Sequence, residues 1–145
     1  MLEVGSNAPN FRVQNHRNET VSLDSLKGTR VVLWFYPKAD TPGCTAEGCS
    51  FRDLASEFAE KNTKIYGVSF DTPEENAAFA KKFDFKFPLL CDTEREIGLS
   101  YGACTSKDAK HANRIGYVIS PEGKIAKAYP KVDAAKFPAQ VLSEI

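Results

Sequence analysis

A short run of apolar residues from Val31 to Tyr36 constrains the fold of this chain more than any other feature. The run is rich in β-branched and aromatic residues and lies between turn residues, which is typical of a strand buried on both faces. A strand of this kind lies within a sheet that has helices packed on both sides. The same run is far too short to cross a bilayer, so the sequence predicts no membrane segment.

The rest of the chain alternates between strand and helix patterns. Helices are indicated where apolar residues recur every three or four positions, and strands where short apolar runs lie between turn residues. The predicted strands cover residues 11–14, 20–23, 31–36, 64–70, 88–91, 115–119 and 124–129, and the predicted helices cover residues 44–61, 73–83, 93–101 and 133–145. Together they predict an α/β fold in which a central mixed sheet is flanked by helices and preceded by an N-terminal hairpin.

The length and charge of the chain disfavour several classes of protein. Its 145 residues are typical of a single domain, which we expect to span residues 1–145. Lysine and arginine (19) balance aspartate and glutamate (19), so the net charge predicts no nucleic-acid partner and no polybasic membrane patch. The first residues do not combine a basic stretch with an apolar one, so we expect no secretory signal and a cytoplasmic location.

The chain has four cysteines, at positions 44, 49, 91 and 104. Two structural disulfides would be typical of a small secreted protein, but this chain is long enough to bury its own core. A zinc site is disfavoured because no second cysteine pair follows Cys44 and Cys49 at zinc-finger spacing, and because His16 and His111 stand alone. We therefore expect functional thiols in a reducing compartment, and no metal or other cofactor.

Cys44 lies where a helix begins after the buried strand. Thr41 is a favourable N-cap residue and Pro42 suits the first helical position, so Cys44 falls in the first turn. Unpaired backbone N–H groups and the positive end of the helix dipole meet there, and both favour the thiolate, which is the reactive form of cysteine. An unreactive core cysteine is equally compatible with this local pattern, because free cysteines are commonly small buried residues.

Cys49 follows Cys44 five residues later on the same predicted helix. The two α-carbons would be separated by roughly 7.5 Å along the helix axis and by about 140° around it. A disulfide requires α-carbons within about 7 Å and converging side chains, so these cysteines can be joined only if the first turns unwind. Gly43 and Gly48 would lower the cost of unwinding, because glycine is a poor helix former. The spacing favours a transient disulfide over a structural one.

The segment around these cysteines resembles the active site of a known enzyme family. The spacing Pro37-x-x-x-Thr41-x-x-Cys44 is similar to the active-site signature of peroxiredoxins, and YPKADTPGCTAEGCSFRD is similar to their bacterioferritin-comigratory-protein (PrxQ) branch. The similarity continues in GSNAPNF (5–11), SFD (69–71), FPLL (87–90) and RIGYVISPEGKI (114–125). The resemblance implies a thioredoxin-like fold and a thiol-dependent peroxidase that acts on hydroperoxides.

The resemblance also implies roles for individual residues near the reacting sulfur. Cys44 would be the peroxidatic cysteine, Thr41 would bind the peroxide, and Pro37 would shield the sulfur from water. Arg114 matches the active-site arginine of the family, and Glu47 matches the acidic residue that orients it. Without the resemblance, Arg114 would be interpreted as an ordinary surface charge and Glu47 as an acid near a helix start.

Cys49 matches the resolving cysteine of this branch. The implied enzyme is an atypical 2-Cys peroxiredoxin of antioxidant defence, monomeric, which forms an intramolecular Cys44–Cys49 disulfide and is recycled by thioredoxin or a similar dithiol. Cys91 is expected to be an inert core thiol, and Cys104 is expected to lie exposed in a loop. Two other functions remain open: a dithiol exchanger acting on protein disulfides, which the lack of a C-x-x-C pair disfavours, and a non-catalytic redox sensor.

Overall fold

The strands and helices follow one another in the order predicted from the sequence. A computed structural model describes residues 1–145 of the chain. The strands are β1 (Arg12–Gln14), β2 (Thr20–Ser22), β3 (Arg30–Phe35), β4 (Thr63–Ser69), β5 (Leu89–Cys91), β6 (Gly116–Ile119) and β7 (Ile125–Tyr129), and the helices are α1 (Pro42–Glu60), α2 (Pro73–Phe83), α3 (Glu96–Ser100) and α4 (Phe137–Glu144). None of these helices is both long and apolar enough to cross a membrane.

Five strands form one mixed sheet in the order β5-β4-β3-β6-β7. β4 is parallel to both β3 and β5, whereas β6 is antiparallel to both β3 and β7. The strands β1 and β2 form a separate antiparallel hairpin. The predicted mixed sheet with an N-terminal hairpin is therefore confirmed, and the apolar run forms its central strand.

The residues of β3 alternate between two apolar clusters, one on each face of the sheet. Val31, Leu33 and Phe35 belong to the cluster that also receives the N-terminal hairpin and α3. Val32 and Trp34 belong to the cluster beneath α1, α2 and α4. All five side chains are at most 1% exposed, which confirms the prediction of a strand buried on both faces.

The parallel pairing of β3 and β4 brings two loops together at one edge of the sheet. The carboxyl ends of parallel strands lie at the same edge, so the loop between β3 and α1 meets the segment that follows β4. The contact is direct, because the backbone N–H of Ala39 donates to the Asp71 carboxylate at 2.8 Å. The loop then enters α1 with Thr41 as the N-cap residue and Pro42 at the first position, as predicted.

The helix α3 is shorter than predicted, because it begins at Glu96 rather than Thr93. Its N-cap residue is Arg95, whose φ of 60° lies in the left-handed region. The carboxylate of Asp92 accepts the backbone N–H groups of Ile97 (3.1 Å) and Gly98 (2.7 Å). Because Asp92 occupies these donors of the first turn, the chain between it and the helix forms a turn instead of further helix.

The helix α4 also begins later than predicted, at Phe137 rather than Asp133. One carboxylate oxygen of Asp133 accepts the backbone N–H groups of Ala135 (3.1 Å) and Lys136 (3.3 Å), and the resulting hydrogen bonds form a local turn. Pro138 lies in the first turn of the helix. A proline is tolerated there because the N–H groups of a first turn have no helical partner.

Candidate active site

Cys44 lies in the first turn of α1 and is completely buried, with 0% of its surface exposed. It belongs to the apolar cluster that contains Trp34 of β3 and Phe51 of α1. A charged sulfur in such surroundings cannot rely on bulk water for stabilisation. The chemistry of Cys44 is therefore decided by the hydrogen bonds and charges that the protein places next to it.

A single arginine connects this sulfur to a buried carboxyl group. The Nη2 of Arg114 donates to Cys44 Sγ at 3.4 Å, and its Nη1 donates to Glu47 Oε1 at 2.7 Å. Arg114 lies just before β6, the neighbour of β3, which brings it to the start of α1 across the sheet edge. A fixed guanidinium at this position stabilises the thiolate and can stabilise negative charge on an oxygen bound beside it.

Glu47 is fully buried and only partly hydrogen-bonded. Its side chain is 0% exposed, and its Oε2 has no hydrogen-bond partner. Burial raises the pKa of Glu47 to about 8, although the hydrogen bond and the charge of Arg114 act in the opposite direction. Glu47 is therefore a carboxyl group that changes its charge near neutral pH, in contact with the guanidinium that reaches the sulfur.

Thr41 caps α1 by its position but not through its side chain. Its hydroxyl donates to the carbonyl of Lys38 at 2.8 Å, which uses its only hydrogen and leaves the oxygen free to accept a hydrogen bond. Pro37 lies half-buried in the same loop. The structure thus joins Cys44 to Arg114 by a direct hydrogen bond, whereas Thr41 and Pro37 lie in the adjoining loop.

Cys49 lies on the same unbroken helix as Cys44, because α1 extends from Pro42 to Glu60. It is half-buried and packs against the apolar cluster beneath the helix. Both cysteines are free thiols. Their separation on a continuous helix keeps the sulfurs from bonding in this conformation, so a disulfide between them would require the first turns to unwind.

Two glycines of α1 have a packing role that the sequence did not indicate. A Cβ atom added to Gly43 would lie 2.8 Å from Arg114 Nη2, and one added to Gly48 would lie 2.4 Å from Phe85 Cζ. Each distance is too short for a side chain. These glycines therefore allow the arginine and the phenylalanine to approach the helix closely, in addition to being poor helix formers.

Cys104 is buried, with 6% exposed, so the prediction of an exposed loop cysteine was wrong. The backbone N–H groups of Ala103 and Cys104 both donate to the Gly98 carbonyl, which turns the chain inward after α3. Cys91 is buried as predicted, and its sulfur accepts a hydrogen bond from Asn76 Nδ2 at 3.4 Å. Burial raises the pKa of both thiols, which disfavours their reactive thiolate forms.

Sequence reasoning missed a polar cluster that holds the loop before α1. The carboxylate of Asp71, whose side chain is 2% exposed, accepts hydrogen bonds from Lys38 Nζ, the Ala39 N–H and Ser69 Oγ, each at 2.8 Å. Lys38 and Asp71 lie in the segments YPKADTPGC and SFD, both of which resemble the peroxiredoxin pattern. That shared resemblance is the only sequence signal that could have linked them.

The residues near Cys44 are suited to chemistry of the sulfur itself. No group of three or more histidine, cysteine, aspartate and glutamate side chains is arranged to hold a metal ion. Around the sulfur, the protein supplies one guanidinium from Arg114 and one carboxyl group from Glu47. This arrangement can stabilise a nucleophilic thiolate and an oxygen anion formed next to it.

The family model, the related sequence and the solved structures that match this chain agree with one another. The model of the AhpC/TSA family matches residues 4–128. Peroxiredoxin Bcp of Bacillus subtilis is 35% identical over 149 aligned positions, which cover 99% of this chain and 95% of the relative. The crystal structure of peroxidoxin BcpB from Mycobacterium tuberculosis has a TM-score of 0.90 at 31% identity and covers 99% of this chain and 96% of its own. A bacterioferritin comigratory protein of Xanthomonas campestris, described with its alkyl peroxide reduction activity, has a TM-score of 0.87 at 29% identity, with 92% of this chain and 88% of its own covered.

Proposed function

The chain belongs to the AhpC/TSA family and has the thioredoxin-like fold of the peroxiredoxins, and on this premise we propose that it reduces hydroperoxides through the thiolate of Cys44. The observation that carries the proposal is the 3.4 Å hydrogen bond from Arg114 Nη2 to the buried Cys44 sulfur at the start of a helix. A cation and the positive end of a helix dipole act together there, and both favour a reactive thiolate despite its burial.

In the first step, the Cys44 thiolate attacks the terminal oxygen of the hydroperoxide. The O–O bond breaks, the sulfur is oxidised to a sulfenic acid, and the other oxygen takes up a proton and leaves as water or an alcohol. Arg114 stabilises the thiolate and the charge that develops on the leaving oxygen. The Thr41 oxygen accepts the O–H of the peroxide, and Pro37 limits the access of water to the sulfur.

In the second step, Cys49 resolves the sulfenic acid. The first turns of α1 unwind, the Cys49 sulfur attacks Cys44, and the sulfenic oxygen leaves as water as the disulfide forms. Cys49 is favoured as the resolving residue because Cys91 and Cys104 are buried and their pKa values are raised by burial. The enzyme is thus an atypical 2-Cys peroxiredoxin.

In the third step, a dithiol of the thioredoxin type reduces the disulfide by exchange and supplies the two electrons that the peroxide consumed. This step needs a reducing compartment such as the cytoplasm. Both cysteines of the cycle lie on one chain, so a monomer of one domain, residues 1–145, suffices. Because the Xanthomonas campestris protein is described with alkyl peroxide reduction activity, we include organic hydroperoxides among the substrates beside hydrogen peroxide.

Mass spectrometry of thiol connectivity after one equivalent of hydrogen peroxide tests this cycle. The wild type should form a Cys44–Cys49 disulfide, Cys44→Ser should form none, and Cys49→Ser should stop at the sulfenic acid of Cys44. Turnover with thioredoxin should be lost in both variants. A bond from Cys44 to Cys91 or Cys104 would move the resolving role to another residue.

A wild-type Cys44 that does not react with peroxide would overturn the peroxidase itself. A dithiol exchanger would instead react faster with protein disulfides than with peroxide. A redox sensor would form the disulfide but would not consume peroxide at catalytic concentrations of protein. The same samples therefore separate the peroxidase from both other functions.

A further inference from the structure

The loop of residues 37–41, called the substrate loop below, is held in place by a carboxylate that is not part of it. The Asp71 side chain accepts the Ala39 backbone N–H with Oδ2 and the Lys38 ammonium with Oδ1, both at 2.8 Å. Asp71 follows β4, so these contacts connect two segments that are more than thirty residues apart in the sequence. The conformation of the substrate loop therefore depends on a contact outside it.

The substrate loop has little internal support for its conformation. Asp40 adopts a φ of 59°, in the left-handed region, which costs free energy for a residue other than glycine, although aspartate tolerates it better than most residues do. Thr41 gives no side-chain hydrogen bond to the first turn of α1, because its hydroxyl donates to the Lys38 carbonyl. The start of α1 thus lacks the cap that would normally hold it.

Lys38 links the external carboxylate to the residue that would bind the peroxide. Its ammonium contacts Asp71 and Glu75 of α2, each at 2.8 Å, while its carbonyl accepts the hydroxyl of Thr41. Its hydrogen bonds to Asp71 and Glu75 raise the pKa of Lys38, and the same lysine is the main cause that lowers the pKa of Glu75 to about 2. The Lys38–Glu75 ion pair is therefore present throughout the neutral pH range.

A buried chain of hydrogen bonds also holds the Asp71 side chain in position. Ser69 Oγ donates to Asp71 Oδ2 at 2.8 Å, and Asn76 Nδ2 donates to Ser69 Oγ at 3.2 Å. The Tyr36 hydroxyl donates to Asn76 Oδ1 at 2.6 Å and completes the chain. Because these groups are buried and satisfied by one another, the position of the Asp71 side chain does not depend on the substrate loop alone.

We propose that the Asp71–Lys38 pair positions Thr41 for the peroxide and holds the start of α1 folded. When the pair separates, the start of α1 unwinds and Cys44 can reach Cys49. The proposal rests on the peroxidase cycle above and adds the residues that control its conformational step. Asp71 and Lys38 act through Thr41 and the helix start, so both are positioning residues. The pair has opposite effects on the two chemical steps, since an ordered loop favours attack on the peroxide and a released loop favours the disulfide.

The Lys38→Met variant keeps the length of the side chain and removes its charge, and the lysine is 43% exposed, so the fold should tolerate the change. Stopped-flow measurement should show Cys44 oxidation slowed by at least about tenfold, because the reacting groups are no longer held in place. In the same protein, formation of the Cys44–Cys49 disulfide after oxidation should be faster than in the wild type. Lys38→Arg should restore both rates toward the wild type, because it keeps the ion pairs.

Lys82→Met is the matched control. Lys82 of α2 pairs with Asp40 of the substrate loop at 3.0 Å, but the pair is exposed and does not involve Asp71. Exposed pairs of this kind contribute little, so both rates should stay within about twofold of the wild type. A similar effect of Lys38→Met and Lys82→Met on both rates would overturn the specific role of Asp71.

Amide hydrogen exchange gives a readout that does not depend on peroxide chemistry. In Lys38→Met, residues 42–48 should exchange faster, while β4 and the C-terminal half of α1 should remain as in the wild type. Unchanged exchange at 42–48, or a slowing of oxidation and disulfide formation together, would overturn the proposal. Failure of the wild-type Cys44 to react with peroxide would instead overturn the peroxidase cycle, and the exchange result would still decide whether the pair holds the helix start.

Discussion

At the scale of single residues, the two close approaches to α1 differ in the freedom of the neighbouring side chain. The guanidinium above Gly43 ends a long side chain, and its Nη2 can shift from an added methyl group by giving up its contact with Cys44. The ring above Gly48 belongs to Phe85, which is 4% exposed and stacked on Phe87 at 5.0 Å between centroids. A buried ring in a close-packed cluster cannot move aside without disturbing its neighbours. The same substitution should therefore have different consequences at these positions.

Gly43→Ala and Gly48→Ala are expected to separate reactivity from stability. In Gly43→Ala, the free energy of unfolding should change by less than about 1 kcal/mol, while Cys44 oxidation slows by about tenfold because Arg114 is displaced from the sulfur. In Gly48→Ala, overpacking against Phe85 should cost about 1–3 kcal/mol. Urea unfolding and stopped-flow oxidation measure the two quantities. Equal loss of stability in both variants would contradict this distinction.

At the scale of elements, α1 consists of two parts with different anchors. Phe51 and Phe58 are fully buried (0% exposed), and the Phe51 ring packs near Trp34, Phe87 and Phe137 at centroid distances of 5.3 to 6.5 Å. The turns before Phe51 contain both cysteines and begin without a side-chain cap. Unwinding should therefore stop at Phe51, because continuing past it would expose a large apolar surface.

Oxidation by one equivalent of peroxide is expected to unwind only the beginning of α1. In the wild type, amide exchange should accelerate at residues 43–50 once the Cys44–Cys49 disulfide has formed, and residues 52–60 should stay protected. Cys49→Ser is the control, since its Cys44 is oxidised without a disulfide and residues 43–50 should remain protected on average. Full protection of residues 43–50 in a wild-type protein whose disulfide is confirmed by mass spectrometry would show that the helix does not unwind.

The element boundaries show what local sequence can and cannot specify. The starts of α1 and α2 were predictable because each has a threonine N-cap followed by proline, at 41–42 and 72–73. The starts of α3 and α4 were not predictable in this way. Asp92 and Asp133 accept backbone N–H groups near these starts, and the resulting local turns replace the additional helical turns that were predicted. Whether an aspartate does so depends on the conformation of the residues after it.

At the scale of the whole molecule, contacts between distant segments were the hardest to predict. Glu47 lies 67 positions from Arg114, and Lys38 lies 33 positions from Asp71. Neither partner has a local pattern that indicates the other, so the first pair was expected only from a family resemblance and the second was missed. The burial of Cys104 was missed for the same reason, since it depends on how the chain after α3 folds back onto the sheet.

The buried carboxyl group of Glu47 also makes the stability of the whole molecule depend on pH. The pKa of Glu47 is about 8 in the folded protein, whereas its ordinary value of 4.5 applies to the unfolded chain. At a pH between these two values, the folded protein therefore holds a proton that the unfolded chain has released. Where the folded state binds more protons than the unfolded state, the free energy of unfolding falls as pH rises. The contribution of Glu47 to the free energy of unfolding is therefore fully present below about pH 4.5 and is lost as pH rises through about 8.

Glu47→Gln should remove this dependence, because glutamine does not titrate. Between pH 5 and pH 8, the free energy of unfolding should fall more in the wild type than in Glu47→Gln by at least about 1.4 kcal/mol, the equivalent of one pKa unit. Urea unfolding of both reduced proteins in a Cys44→Ser background measures the difference without interference from oxidation of the reactive thiol. Other titratable groups are common to both proteins, so their contributions cancel in the comparison. Parallel curves would mean that Glu47 is already ionised at pH 5, and that the ion pair with Arg114 outweighs the cost of its burial.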